Sequence, residues 1–199
     1  DLTLNRVYAD PILLGRYPKV PLIAKPWFRS LEKVSDADLR IIHQPLDFYG
    51  LNYYYPVKVA TGRGPGESPV GSTEAMLKMP FHMAAFPEYT TTGFGWPVAP
   101  DHLGPLLREL KDRYGGALPP LYITESGASF PEPEHVSGPI ADTERISYIA
   151  SHLGHAVDAT APGGIAEDVE LLGYYVWTLM DNFEWAAGYS QRFGLVHVD

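Results

Sequence analysis

A glutamate placed directly after a short apolar run is the sharpest chemical feature of this chain. Leu121-Tyr122-Ile123-Thr124 reads as a buried strand, and Glu125 stands at its carboxyl end, ahead of a Ser126-Gly127 turn. A carboxylate is poor packing material, because burial without partners is expensive. Either Glu125 caps the next segment or pairs with an arginine, or a rigid strand holds it as a nucleophile or general base. A second concentration runs from Tyr174 to Phe193, with Tyr174, Tyr175, Trp177, Phe183, Trp185 and Tyr189 between or at its start. Tyr174, Val176 and Phe183 read as core. Trp177 and Trp185 lie among Asp181, Asn182 and Glu184, a mixture that suits a sugar. Indole faces stack on the C–H face of a pyranose, and carboxylate oxygens accept from its hydroxyls. Tyr54 offers a phenol that a carboxylate would accept from, with core packing as the alternative.

Other chemistries lack their residues. Cys is absent, which removes disulfides, thiolate metal sites and a thiol nucleophile. The 7 His are scattered without metal-binding spacing, and His152 and His155 read as surface positions of a helix. No phosphate loop, dinucleotide fingerprint or serine elbow is present, so neither cofactor nor metal is expected. With 15 Lys+Arg against 24 Asp+Glu, the formal net charge of −9 argues against nucleic acid and favours a neutral or cationic partner. No apolar run approaches the roughly 18 residues of a membrane helix. The lack of Cys, together with an opening at Asp1 that has no signal-peptide pattern, points to a reducing, cytoplasmic compartment.

The elements that must position these groups follow from the pattern. A first helix carries Leu4, Val7, Tyr8 and Ile12 on one face, is interrupted by Pro11, and ends at Gly15. Ser35 to Asp38 cap a short helix through Ile42. Leu46 to Tyr54 is a β-type run closed by Pro56, and residues 56–100 form a long loop. Pro100-Asp101 starts a helix through Tyr114, with Leu103, Leu106, Leu107 and Leu110 inward and Gly115-Gly116 as its stop. After the Glu125 strand, Asp142 caps a helix whose apolar face is Ile146, Ile149, Ala150, Leu153 and Val157. Leu171 to Met180 is the last strand. Strand, helix, strand, helix, strand is the repeat of a parallel α/β sheet or barrel, where sites lie at the carboxyl ends of strands.

Four segments together resemble glycoside hydrolase family 1, the β-glucosidases. They are Asp47-Phe48-Tyr49-Gly50-Leu51-Asn52-Tyr53-Tyr54, Ile123-Thr124-Glu125-Ser126-Gly127, the run from Val176 to Tyr189 containing Asp181-Asn182-Phe183-Glu184-Trp185, and Arg192-Phe193-Gly194-Leu195. Gly95-Trp96-Pro97-Val98 and Asp10-Pro11 with Gly15-Arg16-Tyr17-Pro18 also match, in family order from end to end. The resemblance implies a (β/α)₈ TIM barrel of which residues 1–199 are the C-terminal portion, holding the last three strands and their helices, so the barrel is not complete in this chain. It implies that Glu125 is the nucleophile and Tyr54 the tyrosine that hydrogen-bonds it. Asn52 would line the same pocket, Glu184 and Trp185 would bind hydroxyls of the terminal sugar, Trp177 would be the platform beneath it, and Phe193 would border that subsite. Trp96 would wall the leaving-group subsite.

Two departures matter. Ser126 stands where the family usually has Asn, a small polar exchange with little functional consequence. The family's general acid/base lies in a Thr-x-Asn-Glu-Pro segment, and none of Asn5, Asn52 and Asn182 precedes a Glu. Glu132-Pro133, in a proline-rich loop, is no substitute. The expectation is a retaining β-glucosidase acting on a β-glucoside or short β-linked oligosaccharide, with this chain supplying nucleophile and sugar wall and an N-terminal portion supplying the acid. The alternatives are an inactive or sugar-binding fragment, and a 6-phospho-β-glycosidase, which by resemblance would replace the Glu184-Trp185 pair kept here.

Overall fold

The computed structural model describes residues 1–62, 81–132 and 138–198. Three parallel strands, β1 (Tyr49–Asn52), β4 (Leu121–Ser126) and β5 (Leu171–Val176), form a sheet in the order β1-β4-β5. Two antiparallel strands, β2 (Lys58–Thr61) and β3 (Phe81–Ala84), form a separate ribbon. Helix α3 (Leu103–Tyr114) connects towards β4, and α4 (Thr143–Thr160) connects β4 to β5. Parallel strands need such crossovers, and the order is the strand-helix alternation that the sequence pattern implies.

The core lies between the sheet and these two helices. Leu103 and Leu107 of α3 and Ala156 and Ala159 of α4 pack against Leu121 and Ile123 of β4. A Cβ at Gly104 would stand 3.2 Å from the Ala159 Cβ, so the absent side chain lets the helices approach closely. The other face of the sheet is uncovered: Gly50 and Asn52 are exposed, as are Leu172 and Tyr175. Strand β1 pairs only with β4, and so does β5, which leaves an unpaired edge on either side among the described residues.

Several local expectations change. The first helix is not interrupted at Pro11: a π-helical turn (Leu2–Arg6) runs into α1 (Val7–Leu14), with Pro11 buried inside it. Gly15 closes α1 at φ 64°, as expected of a left-handed cap. The buried residues of α1 are Ala9, Asp10, Pro11 and Leu13, while Leu4, Tyr8 and Ile12 face outward. Helix α2 (Asp36–Ile42) begins with the Ser35–Asp38 capping box.

The same reversal occurs in α4, where Ile146, Leu153 and Val157 are exposed and Arg145, Tyr148, His152, Ala156 and Ala159 are buried. Asp142 occupies the N-cap position but pairs with Arg145 instead of capping through its side chain. His152, expected at the surface, is fully buried, and His155 is exposed. An apolar stripe is turned outward when another element is meant to cover it, which periodicity alone does not distinguish from the core-facing stripe.

The stretch 56–100 is not all loop, since it carries β2 and β3. They lack apolar alternation and are joined through main-chain pairing, from Lys58 opposite Ala84 to Thr61 opposite Phe81. Gly64, Pro65, Gly66, Pro69 and Gly71, part of the long loop expected over residues 56–100, lie outside the described residues, as does Pro133. The two flanking strands are shorter than expected, β1 covering only Tyr49–Asn52 and β5 stopping at Val176.

Candidate active site

The sequence-derived residues converge at the carboxyl ends of β1, β4 and β5. The pairing of β1 with β4 shifts register between Leu51 and Asn52, and that of β4 with β5 shifts between Ile123 and Ser126. Such irregularities re-aim side chains at a strand end. Here Ile123 and Ser126 are buried, whereas Thr124 and Glu125 are only half-buried. The Glu125 carbonyl accepts from Tyr53 N–H at 2.8 Å and the Ser126 carbonyl from Trp177 N–H at 3.0 Å, so both neighbours hold this strand end. The Trp177 carbonyl lies directly over Gly127, where no Cβ would fit.

Tyr54 donates its hydroxyl to Glu125 Oε2 at 2.8 Å. Burial foremost, then that bond and the Glu125 and Glu184 charges, push the phenol far above its ordinary pKa, so it stays a donor. This answers one alternative raised by the sequence: among the described residues the partner of Glu125 is the Tyr54 phenol and not an arginine. Thr124 donates to Asn52 Oδ1 at 2.7 Å, which sets the Asn52 amide beside the β4 end.

An aromatic wall adjoins this pair. The Trp96 ring lies 5.6 Å from Tyr54, edge to face, and stacks 5.0 Å from Tyr55 and 4.7 Å from Phe94. Phe193 is 1% exposed, packed 6.0 Å from Trp96 and 6.4 Å from Tyr54, so it backs these rings and does not face the opening. Beyond β5, Glu184 accepts from Asn182 Nδ2 at 2.9 Å. Trp177 is half-buried, and Trp185 is 84% exposed with φ 46°, its ring presented outward.

Asp181 is not available to a sugar. Burial disfavours its charge, but hydrogen bonds from Arg192 at 2.8 Å, Gly194 N–H at 2.9 Å and Val198 N–H at 3.1 Å outweigh it and hold the carboxyl below its ordinary value. Glu132 is committed too, accepting from Arg145 at 2.8 Å and lying 3.1 Å from His197. Glu132, Asp181 and His197 converge closely enough to suggest a cation site. Arg145 and Arg192 already bring two positive charges to these carboxylates, so the cluster is an ion-pair network. Sequence reasoning missed it because its members are far apart along the chain. Arg145 in the first turn of α4, opposing the helix dipole, was the signal that could have exposed it.

The family model for "Glycosyl hydrolase family 1" matches residues 2–199. The chain belongs to glycosyl hydrolase family 1. Among curated members, it is 40% identical to a β-glucosidase of Agrobacterium sp. over 98% of its own length and 38% of that protein's. A bifunctional β-D-glucosidase/β-D-fucosidase of Bifidobacterium breve is 37% identical, with coverage of 100% and 43%. The solved structure of a psychrophilic β-glucosidase from Micrococcus antarcticus superposes with a TM-score of 0.84 at 39% identity, covering all of this chain and 43% of that one. The chain thus spans about two fifths of the length of these family 1 relatives.

Proposed function

We propose that this chain is the C-terminal portion of a retaining β-glucosidase, contributing β1, β4 and β5 as the last three strands of a (β/α)₈ barrel. The observation that carries the reading is the Tyr54–Glu125 hydrogen bond at the end of β4, beside the Trp96 wall. Glu125 attacks the anomeric carbon from the α face and forms a glycosyl-enzyme, while the leaving oxygen takes a proton from an acid in the N-terminal portion. Retaining enzymes hold those carboxyls about 5–5.5 Å apart. Water, giving its proton to that N-terminal group now acting as base, then attacks the same carbon and breaks its bond to Glu125, so the second inversion restores the β configuration. Tyr54 steadies the Glu125 carboxylate, Trp177 and Trp185 offer stacking faces, and Glu184 accepts from hydroxyls of the terminal sugar. The partner is therefore a β-glucoside or short β-linked oligosaccharide, and the N-terminal portion completes the pocket. An inactive sugar-binding fragment is the second reading, favoured by the lack of a Thr-x-Asn-Glu-Pro segment.

Glu125→Gly in the complete barrel is the test. Turnover should vanish, and azide entering the vacated α face should convert an activated β-glucoside into the α-glycosyl azide, read by NMR. A β-azide, or turnover undiminished without azide, overturns the nucleophile role.

A further inference from the structure

Arg145 violates the preferences of the helix that carries it. It stands in the first turn of α4, where the macrodipole disfavours a cation, and is 2% exposed, where a charge needs partners. Its contacts explain the placement. One terminal nitrogen meets Glu132 at 2.8 Å and Nε meets Asp142 at 3.1 Å. The guanidinium also donates to the carbonyls of Gly194 and Arg192, the two residues that flank Phe193. The Phe193 carbonyl accepts from Thr178 N–H at 3.2 Å, and its ring packs behind Tyr54, Phe94 and Trp96. Tyr148, one turn further along the same buried face, donates to the Tyr54 carbonyl at 2.8 Å. Helix α4 therefore holds Tyr54 twice, through its carbonyl and through the ring behind it.

We propose that Arg145 is a positioning residue: by fixing Phe193 it aims the Tyr54 hydroxyl at Glu125. This rests on the reading of Glu125 as nucleophile. Lysine cannot substitute, because a single ammonium does not present the planar fork that spans Glu132 and two carbonyls at once. The titratable and charged groups facing Arg145 are Glu132, Asp142 and, through Glu132, Arg192 and His197. Those acting on Tyr54 are Glu125 and Glu184, with the Tyr148 phenol beside them.

The experiment measures kcat/KM against pH for an aryl β-glucoside in the complete barrel, for wild type, Tyr54→Phe, Arg145→Lys, the double variant and Phe193→Leu. Loss of the Tyr54 donor should lower kcat/KM and move the acid limb upward, because the phenol donates to the charged form of the carboxylate. Arg145→Lys and Phe193→Leu should move it in the same direction, and the double variant no further than Tyr54→Phe. An unmoved acid limb in Arg145→Lys, with only a lower melting temperature, overturns the proposal, and Phe193→Leu decides it if Arg145→Lys does not fold. Failure of the underlying reading looks different: wild type then does not hydrolyse the β-glucoside, or Tyr54→Phe leaves the acid limb in place.

Discussion

Acidification should destabilise the fold through one buried histidine. His152 on α4 is fully buried, its ring stacked 3.8 Å from Tyr148, with Nδ1 on the Tyr148 carbonyl at 2.8 Å. Nδ1 therefore carries the proton as donor, and Nε2 is buried with no hydrogen-bond partner among the described residues. A second proton would have to sit on Nε2, and burial drives the pKa from 6.5 down to about 4. The unfolded chain takes that proton near pH 6.5 and the folded chain does not. Stability from this group is therefore complete above 6.5, falls as pH drops towards 4, and levels off below that. A shift of this size, at about 1.4 kcal/mol per unit, corresponds to about 3 kcal/mol. Urea unfolding of the complete barrel between pH 7 and 4 reads the loss. His152→Leu should flatten this part of the acid dependence, while costing little at neutral pH because the Tyr148 carbonyl keeps its own helical hydrogen bond. Equal pH slopes in wild type and variant, or a native His152 titrating near 6.5 by NMR, would refute the reasoning.

Further outcomes are expected. Glu184→Ala should remove charge-assisted bonds of about 1.5–3 kcal/mol each, lowering kcat/KM for glucosides more than for sugars that lack those hydroxyls; equal losses on both would count against the sugar contact. Gly127→Ala forces a methyl against the Trp177 carbonyl and should cost about 1–3 kcal/mol of stability, measured by denaturant midpoint. Isolated residues 1–199, whose described part leaves both sheet edges unpaired and Leu4, Tyr8, Ile146 and Val157 exposed, should self-associate in light scattering; a monodisperse monomer with a sharp melt would contradict this.

Much of the layout of the candidate site was legible because its residues sit at fixed offsets from strand ends. An apolar run followed by Glu125 marks a carboxylate at a strand terminus, and Trp177 to Trp185 form one uninterrupted segment. Local order of this kind survives folding: β1, β4 and β5 are parallel as the alternation implies, and Gly15 and Ser35 cap where their chemistry requires. Orientation was not legible. The stripe Ile146, Leu153 and Val157 has helical period but points outward, and Arg145 and His152 take the inward face, because which stripe is buried depends on the neighbouring elements.

What the sequence determined by itself was therefore the order of elements, their caps and the chemical inventory, all products of short-range sterics and periodicity. Tertiary structure alone decided which acids remain free for chemistry. Asp181 and Glu184 stand three positions apart in one motif, yet Asp181 is consumed by Arg192 and two backbone N–H groups while Glu184 accepts only from Asn182 among the described contacts. Likewise Tyr54 and Glu125 meet at 2.8 Å across 71 residues only because β1 and β4 pair side by side. A hydrogen bond depends on distance in space, and no local pattern encodes which distant partner arrives.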